Sequence, residues 1–134
     1  MNSPSLNHRF RRHYTREEAR QMIPSVTGWL DSLLRSRADL EKAGVPMEGL
    51  LRDGCSVGGN LARRYLGAFL ELQAVLREFS TREIFVKDIE RGLIDFPAFV
   101  AGREVFLCWE KGELDVVYWH DLDAGYSGRT PLDL

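Results

Sequence analysis

The stretch EVFLCWEKGELDVVYWH, residues 104–120, decides the fold. From Glu83 onward the apolar positions recur with a period of two, and they are β-branched or aromatic, which marks strands. The reading places four of them, at Glu83 to Lys87, Leu93 to Phe96, Glu104 to Glu110 and Leu114 to His120. Arg91-Gly92, Ala101-Gly102 and Lys111-Gly112 punctuate the strands as turns. Centring the last hairpin on Lys111-Gly112 sets Trp109 opposite Leu114, Leu107 opposite Val116 and Val105 opposite Tyr118. One face of the sheet is then wholly apolar and calls for helices to cover it. The other face is mixed, with Cys108 facing Asp115 and Trp119 beside Glu104.

Working back toward the N-terminus, Thr15-Arg16-Glu17-Glu18 reads as a capping box, in which side chain and amide of Thr15 and Glu18 satisfy each other. The helix it opens carries an apolar stripe through Ala19, Met22, Ile23, Val26, Leu30, Leu33 and Leu34. Pro24 predicts a kink, and Gly44 with Pro46 predicts the stop. A second helix follows from Leu61, Tyr65, Ala68, Leu72, Val75 and Phe79, which step by four and three like a coiled-coil seam. Leu66, Phe69, Leu70 and Leu76 widen its apolar surface beyond what one neighbour covers. The Gly- and Asp-containing segment 44–60 joins the two helices as a hairpin. The expected fold is α+β in two layers: an antiparallel helical hairpin (15–80) followed by a four-stranded antiparallel β-meander (83–120). A basic arm (1–14) and a C-terminal tail (121–134) complete a single domain, 1–134.

At 134 residues, 44% hydrophobic and 28% charged, the chain has the material for one ordinary core. No apolar run approaches the roughly 20 residues that span a bilayer. Met1 to Tyr14 lacks the apolar region of a secretory signal, so a cytoplasmic location is expected, with Cys55 and Cys108 reduced. Residues 1–82 hold 13 Lys/Arg against 9 Asp/Glu, and residues 83–134 hold 5 against 11. The basic arm (Arg9, Arg11, Arg12, Arg16) has two readings. It contacts nucleic-acid phosphates, or it pairs with an acidic face of the protein itself; the second is the commoner use of such an arm.

The glycine-rich loop 54–60 precedes a helix but lacks the lysine and hydroxyl of a phosphate-binding loop, having Asn60 and Leu61 there, and reads as a flexible turn. Asp121-Leu122-Asp123 opens like a calcium loop, yet Gly125 and Leu132 stand where later ligands belong. His120 at a strand end, with Asp121 and Asp123 following and Asp95 on a neighbouring strand, forms a candidate metal or acid–base set. The alternative is a histidine that closes the sheet edge by bonding one carboxylate. The register above puts Cys108 on the face away from His120 and outside that set. Trp119 and Arg129 are the candidate ligand-binding residues, Trp119 by exposure and Arg129 by its place in a glycine-bracketed loop.

The runs Val86 to Pro97, Gly102 to Trp109, Gly112-Glu113, Tyr118 to Asp121 and Gly128-Arg129, with Tyr14-Thr15, Glu17-Glu18-Ala19 and Pro24 near the start, resemble the bacterial domain-of-unknown-function family two-two-zero-three. The resemblance implies a small bacterial cytosolic protein and transfers no catalytic residues.

Three functions follow, in order. The first is a non-catalytic homodimeric or protein-interaction module, pairing through the helical hairpin. The second is a divalent-metal or small-ligand site, with or without catalysis, around His120. The third is nucleic-acid contact through the arm. A divalent metal is the one cofactor these residues suggest.

Overall fold

The computed structural model describes residues 7–54 and 59–133. The glycine-rich loop lies largely outside the described residues. Two helices and five strands follow one another in order: α1 (Arg16–Arg52), α2 (Gly59–Ser80), β1 (Phe85–Asp88), β2 (Leu93–Val100), β3 (Arg103–Glu110), β4 (Tyr118–Asp121) and β5 (Thr130–Pro131). The class is α+β, and the sheet is an antiparallel meander in sequence order, β1-β2-β3-β4-β5. It has five strands where the sequence predicted four. The added one forms because Thr130 and Pro131 pair with Trp119 and Tyr118, and the Leu132 amide donates to the Val117 carbonyl at 2.7 Å.

The capping box forms as its residues dictate: the Thr15 amide donates to Glu18 Oε1 at 2.9 Å and the Glu18 amide to Thr15 Oγ1 at 3.0 Å. Two amides that no intrahelical carbonyl reaches are thereby satisfied. The helix does not stop at Gly44 and Pro46. Gly44 is not among the glycines of positive φ, so no left-handed cap forms there, and Pro46 costs one backbone bond on an exposed stretch that water can satisfy. Termination comes at Gly54, φ 77°, where a left-handed turn is free of strain.

The chain divides into two compact units, Met1–Thr27 with Phe79–Leu134, and Gly28–Glu78. Within the second unit α1 and α2 run antiparallel: Arg35 pairs with Glu71 at 3.7 Å, and Gly44 lies against Tyr65. Leu30, Leu33, Ser36, Ala43, Ala68 and Val75 are buried there, whereas Tyr65, Leu66, Phe69, Leu70 and Leu76 of α2 are exposed. No helix among the described residues is long and apolar enough to cross a membrane.

In the first unit, Ile94, Phe96 and Ala98 of β2 and Val105, Leu107 and Trp109 of β3 share one face and are all buried. Each such side chain contributes about 1.5 to 3 kcal/mol by leaving water. Trp109 also anchors the loop that follows, since its indole N–H donates to the Glu113 carbonyl at 2.9 Å.

That loop changes the register of the last hairpin. A two-residue turn at Lys111-Gly112 was the expectation; the connection instead occupies residues 111–117. The Glu113 carboxylate turns back to accept the Glu110 amide at 2.8 Å, and the Glu113 amide donates to the Glu110 carbonyl at 3.0 Å. This closed knot consumes residues that strand pairing would otherwise have used. Val105 consequently stands opposite Asp121 instead of Tyr118, a slip of three residues. An odd slip moves every side chain of the strand to the other face.

Candidate functional site

The slip brings His120 onto the face that carries Cys108 and Asp95. Asp95 and Cys108 are direct partners across β2 and β3, and His120 pairs with Phe106, diagonal to Cys108. The ligand atoms of Asp95, Cys108 and His120 all lie within 4.8 Å of one another, and all three residues are buried. The expectation that Cys108 faces away from His120 is therefore corrected.

Hydrogen bonding fixes the chemistry of the ring. His120 Nδ1 sits 2.7 Å from the Asp121 carbonyl oxygen. A carbonyl only accepts, so Nδ1 carries a hydrogen. Nε2 faces the Asp95 carboxylate at 3.1 and 3.0 Å, and the Cys108 thiol is also within reach of the ring. A neutral imidazole of this tautomer would point a lone pair at a carboxylate. The ring resolves that conflict by holding a second proton: the hydrogen bond to Asp95, then that to Cys108, outweigh burial and push His120 up to about 9. A metal cation on Nε2 resolves it equally well.

The other sequence candidates lie apart from this cluster. The Asp121 side chain, next along the strand, points to the opposite face, is half-exposed and pairs with Arg103. Asp123 is nearly fully exposed and meets Arg9 at 3.2 Å. Trp119 sits on the face away from His120, with the Arg103 guanidinium 5.6 Å from its ring. Arg129 lies on the cluster's side. Its guanidinium stacks 3.7 Å from the Tyr118 ring, the residue paired with Cys108, and binds Glu113 at 2.5 Å. Burial opposes its charge, but the Glu113 contact prevails and holds its pKa above the usual value.

A cavity of about 130 Å³ opens beside the cluster, with Asp95, Cys108 and His120 on one side and Lys87, Leu93 and Tyr126 among its other walls. Lys87 and Tyr126 carried no signal in the sequence, because neither belongs to a spaced motif. Cys108 was discernible by residue type, and only the parity of the strand pairing hid it.

The N-terminal arm finishes this face of the sheet. The amides of Arg9 and Phe10 donate to the Glu104 carboxylate at 2.8 and 3.0 Å, those of Arg11 and Arg12 to Glu83, and His13 Nε2 meets Glu104 at 2.8 Å. Phe10 packs against Phe85 and Phe106, and Phe106 in turn touches the His120 ring. Burial works hardest against the Glu104 charge, yet the two amides and His13 together keep its carboxyl below the ordinary range.

No match to the chain was found among curated proteins or among solved structures. A family model, described as an uncharacterised conserved protein family (DUF2203), matches residues 12–132, a span that takes in the capping box, the whole sheet and the Asp95, Cys108 and His120 cluster. The chain belongs to the DUF2203 family.

Proposed function

We propose that the protein binds a thiophilic divalent cation of the zinc class through Asp95, Cys108 and His120, with a fourth position open to the cavity. One observation carries the reading: the Asp121 carbonyl commits Nδ1 as donor, which aims the remaining nitrogen at a carboxylate and a thiol on a rigid sheet. A carboxylate, a thiolate and an imidazole suit a borderline-soft cation, and three protein ligands plus an open position is the arrangement of reactive zinc sites. Donors of a tetrahedral zinc site stand roughly 3.5 Å apart, from bonds of about 2.0 to 2.3 Å. Side chains now within 4.8 Å reach that spacing by small rotations.

A nucleophilic cysteine triad fits less well. Such a triad uses one imidazole nitrogen for the nucleophile and the other for the orienting carboxylate. Here a backbone carbonyl occupies Nδ1, and Asp95 takes the nitrogen that the thiol would need.

The test is metal content after native purification, together with cobalt(II) loading, which gives a thiolate charge-transfer band. One equivalent of metal and a band lost in Cys108→Ser support the reading. No stoichiometric metal, and no change of melting temperature on adding zinc, sink it.

A second reading rests on α2. Leu66, Phe69, Leu70 and Leu76 are exposed at spacings of three, one and six residues, which keeps them on one helical side. Contiguous exposed apolar surface of this kind marks an interaction site, here assigned to a second copy of the chain. Light scattering of wild type and Leu70→Glu at micromolar concentration decides it; a monomeric wild type rejects it.

A further inference from the structure

The Lys87 ammonium stands 4.9 Å from the centre of the Phe106 ring and 5.5 Å from that of Phe85. Those two aromatic faces hold it in place. It lines the same cavity as Asp95, Cys108 and His120. Nearby cations are already committed, Arg91 to Glu110 at 3.2 Å and Arg129 to Glu113 at 2.5 Å. Lys87 makes no ion pair among the described residues.

Charge decides what such a wall attracts. A divalent cation with one carboxylate, one thiolate and a neutral imidazole is formally neutral, so Lys87 leaves the site with a net positive charge. Behind the cavity, Tyr126 has the Arg91 and Arg129 guanidinium groups 4.3 and 4.6 Å from its ring. Arg129, although its Nε and Nη1 lack hydrogen-bond partners among the described residues, is balanced by Glu113 and Glu110 at 2.5 and 3.8 Å, which leaves Lys87 as the unpaired cation on the cavity wall. Size sets the other limit. At about 130 Å³ the cavity falls well below the roughly 300 Å³ at which sites for drug-sized ligands begin.

We propose that the site takes a small oxyanion, a carboxylate or phosphate group, which places one oxygen on the open metal position and another on Lys87 Nζ. The assignment rests on the metal centre described above. Lys87 is the ligand-recognition residue, and it leaves the cation's own ligands untouched.

The cobalt(II)-loaded full chain tests this by titration with inorganic phosphate and, separately, with acetate, read on the visible absorption of the metal. The expected result is a saturable spectral change with at least one of them, which identifies the oxyanion class. Lys87→Met should weaken that binding about tenfold or more, as expected for losing a charged hydrogen bond, with cobalt stoichiometry unchanged and Lys87→Arg restoring most of the loss. If the cobalt band is present but neither anion perturbs it, or Lys87→Met binds as wild type does, the ligand assignment is overturned and the metal centre stands. Failure of the chain to bind cobalt at all overturns both.

Discussion

Asp95 and Cys108 stand directly opposite each other across β2 and β3, so their side chains rise from the same face of the sheet toward His120. Because the strands position both, neither depends on a loop for its place. Asp95 faces a buried imidazolium in the metal-free protein, and removing one partner of a buried pair leaves the other uncompensated. Asp95→Ala should therefore cost about 3 to 5 kcal/mol in urea unfolding with chelator present. Added zinc should no longer raise the melting temperature of that variant.

Asp121 contributes its carbonyl to the site and its carboxylate to Arg103. Asp121→Ala and Asp123→Ala should consequently bind zinc within about twofold of wild type, while His120→Ala loses binding. Competition against a chromogenic chelator measures all three, and a large loss in Asp123→Ala would move the metal to the sheet's exposed end.

Glu104 predicts how the arm responds to acid. Its carboxyl is held below the usual value in the folded chain, so its stabilising effect is complete above the unfolded value near 4.5 and disappears as pH falls through the folded one. Urea unfolding at pH 7 and at pH 3.5 should show a steeper acid loss for wild type than for Glu104→Gln. At pH 7 that variant should be less stable by about 1.5 to 3 kcal/mol, the range for a hydrogen bond to a charged group.

The capping box offers a test of the first helix. Thr15→Ala leaves the Glu18 amide without its hydroxyl partner and should lower stability by about 0.5 to 2 kcal/mol. Denaturant midpoints measure it, and Thr15→Ser should recover most of the loss.

Local chemistry explains what the sequence discloses. The Thr15 cap, the turns at Gly92 and Gly102, and the burial of Trp109 follow from residues that act on their immediate neighbours. The site was half visible for the same reason. Asp95 and His120 announce themselves by type, but whether Cys108 joins them depends on whether the connection after Glu110 spends an even or an odd number of residues. Glu113 settles that by folding its carboxylate back on the Glu110 amide, an interaction no strand period encodes. The end of α1 departs from its sequence signal in a related way, since Gly44 stops a helix only if it takes a left-handed conformation, and it does not.

The arm also sets an order on assembly. Arg9 and Phe10 are made well before the carboxylate that receives their amides, which belongs to Glu104, 95 and 94 residues later. Such distant closure is slow and comes after local structure has formed. During synthesis, then, the amides of Arg9 and Phe10 must wait for this partner until β3, the third of the five strands, is made, and Phe10 finds its Phe106 neighbour only with that same strand.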